Sequence, residues 1–196
     1  MAESKNRISI TIYRIGDNMK TTPRSRTTNS KYNKPYKFKP IVFPPDMCLI
    51  VDTREQNSPL FLDHTAPKGL MVMRDTLKDG DYGIKGFPLF AIEKKYYGDL
   101  FTYCSTEQLL KTKPKMERFR QIVDQGGWVG LVIENRMSDI FKWQEYTNVN
   151  PGSVRGALTS FAIKYHVHVH FAGNRENTAR FILDHAVRYY NFMKEL

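Results

Sequence analysis

Cysteine is scarce in this 196-residue sequence: Cys48 and Cys104 are the only two, and no CxxC pair exists. That excludes a zinc ribbon and a framework of several disulfides. The sequence also lacks any apolar run near the roughly 20 residues that a membrane-spanning helix needs. The opening MAESKNRISI has neither the apolar core nor the small-residue cleavage site of a secretory signal. An intracellular, cytoplasmic chain with free thiols and no membrane partner is therefore expected. Acidic residues are thin at the start. Residues 1–40 hold ten Lys or Arg against Glu3 and Asp17, whereas the other 156 carry twenty basic and eighteen acidic groups. Most of the net charge of +10 thus sits in the first forty residues. Such an imbalance favours a polyanionic partner, with a solvated basic tail as the plainer alternative.

What is present divides the chain in two. Residues 15–40 are polar, basic and short of aliphatic side chains, so they cannot bury enough apolar surface to offset their ordering entropy. We read residues 1–43 as a basic, largely flexible arm and 44–196 as the folded domain, entered at Pro44-Pro45-Asp46. Within the arm, KYNKPYKFKP interleaves Lys34, Lys37 and Lys39 with Tyr32, Tyr36 and Phe38. That pattern pairs phosphate contacts with stacking on bases. The earlier ISITIYRI alternates in the manner of a short strand.

The domain alternates β-like and helical periodicities. MCLIVD (47–52), LMVMRDTL (70–77), PLFAIEKK (88–95), WVGLVIE (128–134) and VHVHFA (167–172) read as strands. GDLFTYCSTEQLL and MERFRQIVDQ read as helices broken at KTKPK, and residues 153–165 as a helix capped by Ser153. A terminal amphipathic helix carries Ala179, Ile182, Leu183, Ala186 and Tyr190 on one stripe. The alternation implies an α/β fold with a mixed central sheet flanked by helices. His166, His168 and His170 alternate along one strand, which reads as an exposed edge face rather than a chelating pair.

Four acids fall at strand ends or in turns: Asp52 and Glu55 in VDTRE, Asp81 in GDY, and Glu93 after PLFAI. If the strands at 70–77 and 88–93 are neighbours, Asp81 and Glu93 converge on one sheet edge. Two facing carboxylates repel unless a cation lies between them, and oxygen donors of this kind suit Mg²⁺ or Mn²⁺. Strand alternation sets Lys95 on the face of Glu93 and turns Lys94 away. An acid followed by Glu-x-Lys is a sufficient kit for phosphodiester hydrolysis, the lysine orienting water and neutralising charge on a phosphoryl oxygen.

LIVDTRE, GDY, AIEKKYYGDL and VRGALTSFAIKYHVHVHFAGNRENTARFI, in this order, resemble the nuclease domain of the XPF family of structure-specific endonucleases, most of all its stand-alone phage and prokaryotic forms. The resemblance runs from about residue 47 to 192, and GDY…EKKYYGD is similar to the family signature GDx(n)ERKx(3)D. It implies a restriction-endonuclease-like PD-(D/E)xK core, metal-dependent hydrolysis of branched DNA (flap, fork or junction) in recombination, replication or repair, and a homodimer formed through the nuclease domain. It places the metal ligands at Asp81 and Glu93, with Glu55 as a further metal-holding acid and Asp52 as a supporting one. Lys95 takes the catalytic lysine position and Asp99 that of the closing acid. Arg54, Lys94 and Arg118 fall at DNA-contacting positions, Lys94 standing where the signature has Arg. The rival expectation is a catalytically inactive, DNA-binding scaffold subunit with the same fold, and a third is an RNA-processing or RNA-binding protein, since the basic, aromatic arm is indifferent to the sugar.

Overall fold

Short runs rich in aliphatic side chains build a six-stranded sheet in the computed structural model, which describes residues 39–60 and 67–196. The strands are β1 (Cys48–Asp52), β2 (Met71–Asp75), β3 (Tyr82–Ile84), β4 (Phe87–Lys95), β5 (Trp128–Ile133) and β6 (His168–Phe171). Their order across the sheet is β2-β1-β3-β4-β5-β6. β3 runs against the other five, so the carboxyl ends of β1, β2, β4, β5 and β6 share one edge. Lys34, Lys37 and the ISITIYRI segment lie outside the described residues. Pro40–Leu196 forms one compact unit.

Both faces are covered, and β4 shows how. Phe90 and Ile92 point to one face, where they pack with Leu49, Val51, Tyr82 and the stripe Ile182, Leu183, Ala186 and Tyr190 of the last helix, α4 (Arg175–Glu195). Ala91 points to the other, into a core of Val129, Leu131, Ile133, Phe101, Phe119 and Phe161. Those aromatics come from α1 (Tyr97–Tyr103), α2 (Thr106–Asp124) and α3 (Pro151–Tyr165). The period of two along the strand thus continues as Glu93 and Lys95 on the α2 face and Lys94 on the α4 face.

Three local expectations are corrected. α2 passes through KTKPK unbroken, with Pro114 inside it, because Thr112, Met116, Phe119 and Ile122 on either side of the proline are buried along one face. The helical break lies earlier, at Cys104–Ser105, where Ser105 Oγ accepts a hydrogen bond from Gln108 N and caps α2. Asn150, not Ser153, caps α3: its Oδ1 accepts from Gly152 N at 2.7 Å, and Pro151 takes the first helical position, where a missing N–H costs nothing.

The strands expected to be neighbours are not adjacent, since β1 and β3 lie between β2 and β4. The three-residue β3, too short to leave a periodic signal, forms the hairpin that brings Asp81 to Glu93. Tyr82 pairs with Ile92 in antiparallel register, which sets Asp81 opposite Glu93. Ile84 pairs with Phe87, so two residue steps on β3 face five on β4, and Pro88 lies in the mismatched stretch. Gly80 makes the approach possible. It has φ +81°, and a Cβ there would sit 2.9 Å from Ile92 O; the Asp81 amide donates to the same oxygen at 2.7 Å. The GD of the signature is a backbone requirement as much as a chemical one.

Candidate active site

Asp52 ends β1 with its side chain buried. Arg54 closes on it with a two-point fork, Nε donating to Oδ1 at 2.7 Å and Nη2 to Oδ2 at 2.8 Å, while Nη2 also donates to Leu77 O at 2.7 Å. The amides of Arg54 and Leu77 donate to Asp52 as well, each at 2.8 Å. The Arg54 side chain beside it holds the Asp52 carboxyl down at about 2, against the opposing pull of burial. Arg54 therefore uses its fork on Asp52, bracing the end of β1 against the chain after β2. The Asp52 amide in turn donates to Asp81 O at 2.9 Å, which ties this brace to the next acid.

Asp81 Oδ2 accepts from Lys94 N at 2.7 Å. Burial, and then the neighbouring Glu93 carboxylate, push the Asp81 carboxyl well above the usual carboxylate range. Glu93 is 1% exposed. Lys95 Nζ lies 2.6 Å from its Oε1, and Lys115 Nζ donates to Oε1 at 2.9 Å and Oε2 at 2.8 Å. Burial alone would raise Glu93, but Lys95 and then Lys115 outweigh it and keep the carboxyl low. Burial acts against the charge on Lys95 too, yet Glu93 and Asp81 raise its pKa overall. The Lys95 ammonium also lies 4.8 Å above the ring centroid of Tyr103. With no further cation present, Glu93 is held ionised between two ammonium groups, and Asp81 takes up a proton more readily than an ordinary carboxyl does.

Glu55 and Lys94 form a separate pair. Lys94 Nζ is 3.3 Å from Glu55 Oε1 and donates to Asn57 O at 2.9 Å. Glu55 Oε1 also accepts from Asn57 N at 2.7 Å. Arg175, the first residue of α4, reaches Ser58 O at 2.8 Å and Asn57 O at 3.3 Å. Lys94 is buried, and its ammonium fixes the loop after β1. Among the described residues no three His, Cys, Asp or Glu side chains gather as a metal-holding group. The structure brings Asp81 and Glu93 together and leaves Glu55 to Lys94.

A cleft of about 330 Å³ at the carboxyl edge is lined by Arg54, Glu55, Gln56, Asn57, Asp81, Lys94, Lys95, Tyr96 and Asp99. Asp99 is exposed in the first turn of α1. Arg118 lies elsewhere: its Nε donates to Asp79 Oδ1 at 2.6 Å, and it lines a larger cavity of about 550 Å³ with Ile50, Leu77 and Phe87. Lys39 is exposed at the start of the described chain.

Residues 51–184 match the family model of the ERCC4 domain. The chain belongs to the ERCC4 domain family. Its fold is similar to that of XPF from Aeropyrum pernix in complex with DNA, with 17% identity, TM-score 0.52, and 74% of this chain and 64% of that one covered. XPF from Aeropyrum pernix in a second structure gives 18% identity and TM-score 0.54, with 74% and 65% covered. The chain spans a little under two thirds of the length of these structures. No curated protein sequence matches it. The XPF-type nuclease fold implied by the sequence resemblance is the fold of this ERCC4 domain.

Sequence reasoning missed Lys115, Tyr103 and Arg175. Lys115 left a usable signal. Lys115, Phe119 and Ile122 follow at i, i+4 and i+7, the core-facing stripe of a helix read straight through Pro114. Tyr103 and Arg175 left none, since only packing of α1 and α4 against the sheet brings them near the acids.

Proposed function

We propose that this ERCC4 domain is a divalent-metal-dependent DNA endonuclease that hydrolyses phosphodiester bonds at branched DNA, in recombination, replication or repair. The observation that carries the reading is Asp81 opposite Glu93, with Lys95 beside them, at the carboxyl edge of the sheet. A buried and a half-buried carboxylate within electrostatic reach of each other, the second pushed toward its protonated form, fit a hard divalent cation. Asp81 and Glu93 would hold Mg²⁺ or Mn²⁺. When bound, such an ion supplies Lewis acidity toward a phosphoryl oxygen and lowers the pKa of water.

The other groups act around that pair. Asp81 and Glu93 would offer their carboxylates to the ion, and Lys95, beside Glu93, would be placed to orient water and to donate to a phosphoryl oxygen. Asp52 and Arg54 hold the Asp81 backbone in place, while Lys94 and Glu55 hold the loop that forms one wall of the cleft. Asp99 lines the same cleft from the first turn of α1. The arm residues Lys34, Lys37 and Lys39 supply non-specific, salt-sensitive affinity. Pairing of two copies through the nuclease domain is part of the proposal and is read by sedimentation.

The test is cleavage of labelled duplex, single-stranded, flap, fork and four-way-junction DNA with Mg²⁺, Mn²⁺ or EDTA. We expect metal-dependent cleavage that Asp81→Asn abolishes. Because Asn removes a like-charge contact while keeping an oxygen for Lys94 N, that variant should melt at or above the wild-type temperature without metal. Binding of all these DNAs with no cleavage of any would overturn the reading in favour of a non-catalytic scaffold.

A further inference from the structure

Among the described residues, four large aromatic side chains are more than half exposed: Tyr96, Trp143, Tyr146 and Phe192. Tyr96 precedes Tyr97, whose ring meets Tyr146, and Trp143 belongs to the same short segment as Tyr146. Tyr96 lines the acid cleft itself, next to Lys95. Tyr97 turns the other way, and its hydroxyl donates to Asp139 O at 2.9 Å. Its ring then meets Tyr146 edge-on, with centroids 6.3 Å apart. Trp143 lies three residues before Tyr146 in the same segment, directly after Lys142. Exposures of 51% for Tyr96, 68% for Trp143 and 57% for Tyr146 leave ring faces open to solvent.

Exposed rings beside a polar cleft call for an occupant with flat faces and negative charge at a fixed spacing. An aliphatic protein surface would gain little from the cleft's charged lining. A nucleic-acid strand satisfies both halves, because its bases stack while its phosphates reach Lys142 and Lys95. The Lys142 side chain is 71% exposed. Base pairing would hide the faces, so only unpaired bases fit. We infer that Tyr96, Trp143 and Tyr146 form a stacking rim for unpaired bases of a DNA strand whose phosphodiester enters the acid cleft. The rim then selects DNA with single-stranded character beside the scissile bond. The inference rests on the nuclease reading for its cleft but not for its binding chemistry.

The experiment separates the two. The full chain is titrated in EDTA with a short oligothymidylate and with a blunt duplex of equal length, following tryptophan emission and anisotropy of labelled DNA. Oligothymidylate should quench emission, Trp143→Phe should remove most of that quenching, and the blunt duplex should produce little. Tyr146→Ala should weaken oligothymidylate binding roughly 5- to 100-fold, as expected for loss of one stacked base, with duplex binding changed far less. Unchanged circular dichroism and melting temperature would show that each variant folds. Equal quenching by both DNAs, or unaltered oligothymidylate affinity in Tyr146→Ala and Trp143→Ala, would overturn the inference. Loss of Trp143 exposure on raising protein concentration without DNA would overturn it in favour of a second copy covering the rim. Quenching with no cleavage of any DNA in metal would sink the nuclease reading alone, and cleavage without quenching would sink the rim alone.

Discussion

Glu93 owes its ionised form to two lysines from different elements, one of them on its own strand and the other on α2. Lys115→Ala would remove the second and leave a buried carboxylate with Lys95 as its principal cation. We expect a loss of about 1.5–3 kcal/mol of stability, checked by urea denaturation, since a hydrogen bond to a charged group contributes about that much. The Lys115→Arg variant should recover most of it. A second residue-scale effect lies far from the acids. His170 and His185 stack against Phe181, with ring centroids 4.3 Å and 3.9 Å away, and His185 also stacks on Trp128. Burial first of all pulls both imidazoles below their ordinary value of 6.5. The folded chain therefore binds fewer protons than the unfolded one below that value. The stability these two imidazoles contribute should be intact above pH 6.5 and lost as pH drops through it, until they protonate in the folded chain. Asp81, pushed up, gives the opposite slope, so the check is the melting temperature of wild type minus that of His185→Gln between pH 7.5 and 5, a difference that should shrink toward acid.

At the scale of elements, α2 is the revealing case. Proline in a helix interior costs about 3 kcal/mol against alanine, which argues for a break at KTKPK. The helix continues because Thr112, Met116 and Phe119 are buried on both sides of Pro114, so interrupting it would expose more than the proline loses. Pro114→Ala should restore a donor for the Leu110 carbonyl and stabilise the chain by roughly 1–3 kcal/mol, read as a raised urea midpoint with unchanged m-value. The sheet teaches a similar lesson. Five strands were legible from apolar runs, whereas β3 was not, because three residues carry no period. The conformation of Gly80, which lets β3 dock, was written in the sequence as a GD dipeptide whose geometric meaning appears only beside Ile92 O.

At the scale of the whole molecule, the uneven charge sets the expected salt behaviour. The folded unit carries little net charge, so steep salt dependence of DNA binding should come from the arm. Replacing Lys34, Lys37 and Lys39 together by alanine should reduce the slope of log K against log salt by roughly 2–3, if each neutralises one phosphate. Affinity measured between low and moderate salt for wild type and variant checks this; an unchanged slope would place the grip on the folded domain. No helix among the described residues is long and apolar enough to cross a membrane, in keeping with the lack of long apolar runs.

The sequence by itself determined the α/β class, five of the six strands, the split of the β4 charges between two faces, and the candidate acids and lysine. These are matters of local period and residue type, and a period of two along a strand needs no tertiary information to predict which neighbours share a face. It also carried the ERCC4 relationship, because the signature residues are contiguous or nearly so. Tertiary structure decided the pairing. That Asp81 meets Glu93 through β3, that Lys115 crosses from α2, that Arg54 closes on Asp52, and that Lys94 holds Glu55 and the Asn57 loop all depend on contacts between residues distant in the chain or on side-chain direction in a folded loop. Charge chemistry in a buried site is set by those contacts: the same carboxyl is held low beside two ammonium groups and pushed high beside another acid. No local pattern fixes which neighbour it will have.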